Sequence, residues 1–299
     1  MLTYIDDMGH EVSIEPVPLL EFISQPEGEM LEWFREYCKY GGLKEIHDIS
    51  PYYELPEGTK IAEYALKEKE KLLKRITEAV IEYFVVTNNL HDKADVKRFV
   101  KHLAKNTGIV ESPHKLELEM ADYDLEAPDR IRDNTLKKYL ELLSINGIIH
   151  RVPVYDPKRK NTKINMSAYY FSDIGIARVL NGGKLNLKAL YSSIICNELS
   201  DADWFTGRYI TTERVDSLRT RRVHKAVDLL IPDQIAIQVI PVFHKSELAE
   251  ACHAMKLLGD DYRKFIVTQP DEQIKEQINA YCPDGMKVLD IIEFIRDMK

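Results

Sequence analysis

Metal-assisted hydrolysis of a phosphodiester needs carboxylates to hold a divalent cation and an amine to help activate water. One arrangement of these groups sets an Asp at the end of one strand and Glu-x-Lys on the next. Asp228, within Ala226-Val227-Asp228-Leu229-Leu230, stands at the first place, and Ile237-Gln238-Val239-Ile240 at the second. Gln238 offers a neutral carbonyl oxygen to a hard cation but no charge, and Ile240 supplies no amine. Glu198, on the preceding helical segment, would add one carboxylate. Glu198, Asp228 and Gln238 are therefore read as a vestigial set. A residual metal-dependent nuclease built on Asp228 and Glu198 is the alternative.

Two basic runs point to a polyanion instead. The stretch holding Arg151, Lys158, Arg159, Lys160 and Lys163 against Asp156 has a local balance of +4. Such a tip could sit on phosphates and release counterions, which makes affinity salt-dependent. Arg214, Arg219, Arg221, Arg222 and Lys225, with Glu213 and Asp216 interleaved, balance to +3 immediately before Asp228. Lys137 and Lys138 add two bases on an expected helix, opposed by Glu141. Each run has a plainer reading, as a solvated hairpin tip or as partners for the acidic remainder of the chain.

Other chemistries lack their residues. Asn181-Gly182-Gly183-Lys184-Leu185 has Gly-Lys without the first glycine or the hydroxyl of a phosphate-cradling loop. Cys38, Cys196, Cys252 and Cys282 are too widely spaced for a zinc pair or a disulfide framework, and read as buried thiols. Cys252 and His253 are adjacent on an expected helix, so they point to different faces. His91, His102, His114 and His224 show no ligand spacing, and no nucleophile-elbow motif is present.

The elements that must position these residues follow from periodicity. Short irregular pieces surround one helix near Met30 to Tyr40, which Gly41-Gly42 ends. Amphipathic helices are expected over 59–86, 92–106 and 134–146. The period then switches to two extended segments, 148–155 and 163–171, about an Asp-Pro-Lys-Arg-Lys-Asn turn. Helices followed by a ribbon are the plan of a winged helix-turn-helix. Beyond Asn181-Gly182-Gly183 come a helix over 187–199, an irregular basic stretch, and strands over 226–231 and 235–242. Helices and strands then alternate to the end. The expected class is mixed α/β, with a helical part over 1–88, a winged-helix part over 89–183 and an α/β domain over 184–299.

The chain has 299 residues and a net charge of −8, which excludes a wholesale basic nucleic-acid binder. At 44% hydrophobic and 30% charged it is expected to fold rather than stay disordered. The acid-bearing N-terminus and the lack of an apolar run of about 18 residues predict a cytoplasmic protein away from membranes.

Several motifs carry a family resemblance. Pro16-Val17-Pro18-Leu19-Leu20-Glu21-Phe22 resembles a Pro-Leu-Ser-Phe-x-Glu-Phe segment in a family of prokaryotic AAA-type ATPases. Tyr40-Gly41-Gly42-Leu43-Lys44-Glu45 resembles that family's Gly-Gly-x-Pro-Glu turn, with Lys44 in place of the proline. The family's C-terminal half is a domain of unknown function, 4143, with a winged helix and a degraded restriction-endonuclease-like part. Its middle is similar to Lys101–Gly108, Asn134–Leu143 and Tyr169–Ile176. Its Asn-Glu-Leu, Val-Asp and Ile-Glu-Val-Lys motifs map onto Glu198, Asp228 and the altered Ile237-Gln238-Val239-Ile240.

The resemblance implies that the P-loop, Walker B acid and sensor region would precede residue 1. No cofactor is then expected for this chain, with ATP and magnesium needed only where an ATPase core is attached. The expected function is non-catalytic: binding nucleic acid or a protein partner, with a protein-interaction scaffold as a further alternative. The oligomeric state stays open.

Overall fold

The computed structural model describes residues 1–24, 30–49, 61–123, 131–214 and 219–299. It is a mixed α/β chain that divides into two compact units. One comprises Met1–Thr107, Pro113–His150 and Phe171–Asn186; the other comprises Gly108–Ser112, Arg151–Tyr170 and Leu187–Lys299.

The first unit opens with an antiparallel hairpin, β1 (Leu2–Ile5) and β2 (Glu11–Ile14). Short helix α1 (Leu19–Phe22), α2 (Met30–Tyr40) and short α3 (Lys44–His47) follow, then the long α4 (Ile61–Thr87). Three more helices complete the run: α5 (Lys93–Lys105), α6 (Pro113–Tyr123) and α7 (Asp133–Ile145). α5 shows how sequence becomes element. Asp92 caps it by accepting from the Asp95 N–H, and Val96, Phe99, Val100 and Leu103 form its buried stripe.

The chain then supplies β3 (Ile149–Asp156) and β4 (Asn161–Phe171), and α8 (Ile174–Leu180) returns to the first unit. The second unit continues with α9 (Leu187–Glu198), β5 (Phe205–Arg214), β6 (Thr220–Ile231), β7 (Ile235–Val239) and α10 (Lys245–Lys256). It ends with β8 (Arg263–Thr268), α11 (Glu272–Tyr281), β9 (Met286–Asp290) and α12 (Ile291–Met298). These strands form a seven-stranded sheet in the order β4-β3-β5-β6-β7-β8-β9. β5, β6 and β7 run as an antiparallel meander, while β8 and β9 add in parallel with α10 and α11 as crossovers. β7, Ile-Ala-Ile-Gln-Val, is buried at every position, as a central strand covered on both faces must be.

The division at residue 184 expected from the sequence does not follow these units. β3 pairs in parallel with β5 through Val154↔Thr206 and Tyr155↔Gly207, so the ribbon extends the C-terminal sheet instead of standing as a free wing. The stretch expected to be irregular before residue 226 contains β5 and the first half of β6. Among the described residues, no helix is long and apolar enough to cross a membrane.

The first unit is tied at one buried carboxylate. Asp173 caps α8 by accepting the Ile176 N–H at 2.9 Å, and its other oxygen accepts the Gly42 N–H at 2.8 Å. Gly41 has φ +79°, and a Cβ there would collide with that carboxylate; a Cβ on Gly175 would collide with the Tyr40 carbonyl. Val17 N–H donates to Gly42 O at 2.7 Å, and Arg178 donates to Lys39 O at 2.7 Å while pairing with Glu70 at 3.1 Å. The segments Pro16–Phe22, Tyr40–Glu45 and Tyr169–Ile176, far apart in sequence, contribute to one node.

Burial pushes the Asp173 carboxyl up to about 6, and the N–H donors of Ile176, Gly42 and Gly175 work against that rise. A raised folded value means that its share of stability is full below about 3.8 and fades as pH climbs through about 6. Asp173→Ala is expected to cost about 2–4 kcal/mol, because buried N–H groups lose their acceptor. Urea unfolding should show the native advantage over this variant to be larger at pH 4 than at pH 7.

Candidate functional site

β6 and β7 pair only through Leu229↔Ile237, Leu230↔Ala236 and Ile231↔Ile235, and beyond Leu229 the strands part. Side chains take over the hydrogen bonding at that point. Asp228 Oδ2 accepts the Val239 N–H at 2.9 Å, and Gln238 Nε2 donates to Ala226 O at 2.7 Å. Gln238 is 4% exposed, so its amide is committed to the sheet. A glutamate there could not donate to the Ala226 carbonyl, which gives the Gln a structural reason.

The Asp228 carboxylate is already compensated. Lys188 Nζ, from the first turn of α9, lies 2.9 Å from Oδ2 and 3.7 Å from Glu247 Oε1 on α10. Arg208 from β5 donates to Gly207 O and Val227 O on the other side. Burial pushes the Arg208 guanidinium down from its ordinary value, and the charge of Asp228 works against that fall. Lys188, Asp228, Gln238 and Glu247 border a cleft of about 260 Å³ whose wall includes His224, Lys225, Glu250 and Ala254.

Glu198 does not join them. Its side chain, 1% exposed, is paired with Lys299 at 3.0 Å. It follows Lys188 by ten residues on α9, about 15 Å along the helix axis at 1.5 Å per residue. The structure thus brings Asp228 and Gln238 together and leaves Glu198, the third residue of the expected set, elsewhere. Lys188 and Arg208 were not singled out by sequence: neither lies in a motif, and only the fold delivers them to Asp228.

Strand alternation sorts the basic run before Asp228. In the β5–β6 register, Arg208, Ile210, Thr212 and Arg214 share a face with Thr220, Arg222, His224 and Ala226, and the register shifts just before Asp228. Glu213, Arg221 and Lys225 lie on the opposite face. There Glu213 binds Lys225 at 2.7 Å, Arg221 at 3.4 Å and the His253 ring at 3.5 Å, and hydrogen bonding and charge from Lys225 and Arg221 hold its carboxyl below the ordinary range. The run therefore sets Arg208, Arg214 and Arg222 on one face and the ion-paired Glu213, Arg221 and Lys225 on the other. Arg219 precedes β6 and is exposed, and Asp216 lies outside the described residues.

The ribbon residues are mostly engaged. Lys158 donates to Leu257 O, Lys160 pairs with Asp233 at 2.9 Å, and Arg151 donates to Ser167 Oγ at 2.8 Å. Arg159 is exposed and Lys163 half-buried. On α7, Lys137 pairs with Asp133 at 3.0 Å, while Lys138 is exposed. Three of the ribbon's basic side chains thus have acceptors within the second unit.

Comparison with known proteins adds two findings. A family model described as a domain of unknown function (DUF8612) matches residues 61–188, from α4 into the first turn of α9. Its description differs from that of the domain the motif order suggests. The chain is also similar to an uncharacterized protein of Haemophilus influenzae (strain ATCC 51907 / DSM 11121 / KW20 / Rd), 22% identical over 297 residues. That alignment covers 95% of this chain and 64% of the relative, so the chain spans less than two thirds of that protein's length. No solved structure matches.

Asp228→Ala should cost about 1–3 kcal/mol by leaving the Val239 N–H and the Lys188 charge without their carboxylate. Gln238→Glu, which restores the acid of the hydrolytic pattern, should also destabilise, by about 1–3 kcal/mol, because it sets a carboxylate against the Ala226 carbonyl. Urea titration of both variants reads these costs directly.

Proposed function

We propose that this chain is the non-catalytic C-terminal region of an AAA-type ATPase relative, and that it binds nucleic acid through the second unit. The observation that carries the reading is the face of the β5–β6 hairpin bearing Arg208, Arg214, Arg222 and His224, next to an Asp228 already compensated by Lys188. Phosphates would be neutralised along that face, with affinity falling as salt rises. Hydrolysis would need a cation held at Asp228, but Lys188 takes that charge, Gln238 spends its amide on the sheet and Glu198 is tied to Lys299.

The node at Asp173 supports the family assignment, since it gathers the Pro16–Phe22, Tyr40–Glu45 and Tyr169–Ile176 motifs on which the resemblance rests. In this reading ATP and magnesium belong to an attached ATPase core, and binding by this chain would be coupled to turnover there. The site of action is the cytoplasm.

Fluorescence anisotropy with labelled single-stranded and duplex DNA tests the proposal. Native protein should bind with a dissociation constant that rises steeply with salt. Arg214→Glu with Arg222→Glu should weaken binding at least tenfold and flatten the salt slope by roughly one unit for each phosphate no longer neutralised. Undetectable or salt-independent binding refutes it. In magnesium or manganese, native protein and Asp228→Ala should give the same absence of cleavage; Asp228-dependent cleavage would establish the nuclease reading instead.

A further inference from the structure

Two of the four cysteines meet. Cys252, on α10, is 5% exposed, and Cys282, the residue that follows α11, is half-buried and packs on the same apolar cluster. Their thiols are hydrogen-bonded to each other. The two helices are held together around them: Ile278 and Met255 share the cluster, and the Phe243 and Tyr281 rings stack with centroids 5.5 Å apart. Lys245 Nζ lies 4.8 Å from the Tyr281 ring centroid. The other two cysteines lie elsewhere in sequence and fold, Cys38 on α2 and Cys196 buried in α9.

We infer that Cys252 and Cys282 form a dithiol oxidation site, which a hydroperoxide-class oxidant closes to an intrachain disulfide between α10 and the end of α11. The thiolate of the pair attacks the O–O bond. An S–O bond forms, and the leaving alkoxide or hydroxide takes up a proton as alcohol or water. The second thiol then attacks the sulfenic sulfur, an S–S bond forms, and the sulfenic oxygen leaves as water. Two thiols and one hydroperoxide thus become one disulfide, one alcohol or water, and one further water.

Chemistry favours this pair over the other thiols. The S–H of one partner stabilises the thiolate of the other, and the Lys256 charge, one turn along α10, favours it further. The Cys252 thiol is accordingly held below its ordinary value, whereas burial pushes Cys38 up to about 12 and Cys196 higher still. A pair sharing one proton titrates as a unit, so the reactive thiolate belongs to the dithiol. The oxidation would also act on the cleft, because Glu247, Glu250, Ala251 and Ala254 of the same helix α10 line its wall.

The test uses the folded full chain with hydrogen peroxide in slight excess. The expected result is that titratable thiols fall from four to two. Intact mass should drop by two hydrogen atoms, proteolysis should yield one linked peptide pair holding Cys252 and Cys282, and dithiothreitol should reverse all three changes. In Cys282→Ala no link should form, and a sulfenic acid at Cys252 should be trapped by dimedone. Four titratable thiols after treatment, a link between other cysteines or between chains, or equal thiol loss in Cys282→Ala would overturn the inference.

Discussion

Where β6 leaves β7, the backbone of a central sheet loses its ladder partners, and buried peptide groups without partners are costly. Asp228 and Gln238 meet that constraint, one as acceptor for Val239 N–H and the other as donor to Ala226 O. The cleft exists because the strands part there, and the strands can part in the interior because these two side chains satisfy them. Lys188 completes the arrangement from α9 and balances the charge that the acceptor brings. Both side chains thus serve the sheet's own backbone.

A comparable economy governs the first unit. Asp173 serves as N-cap of α8 and as acceptor for the Gly42 amide, so one carboxylate joins a helix start to a turn about 130 residues earlier in sequence. Gly41 and Gly175 let the backbone come close enough for this, and Arg178 donates to the Lys39 carbonyl in the last turn of α2. In both units an acid, buried at Asp173 and half-buried at Asp228, accepts from backbone N–H groups.

The longer amphipathic helices were legible in the sequence because their apolar stripes are long, whereas α6 and α8 were not read. The expected 92–106 and 134–146 correspond to Lys93–Lys105 and Asp133–Ile145, and the strands of the ribbon lie within two residues of expectation. β5 was not read, although Tyr209-Ile210-Thr211-Thr212 has strand-forming types, because Gly207 and the flanking arginines break its apolar alternation. The parallel pairing of β3 with β5 was beyond sequence reasoning, since no local signal reports which edge a ribbon will join. Of the candidate site, the meeting of Asp228 with Gln238 could be anticipated from the strand turn between them. The burial of Glu198 against Lys299 and the delivery of Lys188 could not, because both depend on where a helix lies along its axis.

The ribbon's place in the sheet has a consequence for the covalent path. Residues 108–112 and 151–170 belong with the C-terminal unit, while 113–150 and 171–186 belong with the N-terminal one, so the backbone passes between the units five times. No single cut can therefore release either unit with all its strands or helices. A fragment starting near residue 184 would keep β5 but strip it of β3, exposing a bare strand edge to other chains. The two units are interlaced by connectivity, and each must complete its fold using segments that the other brackets.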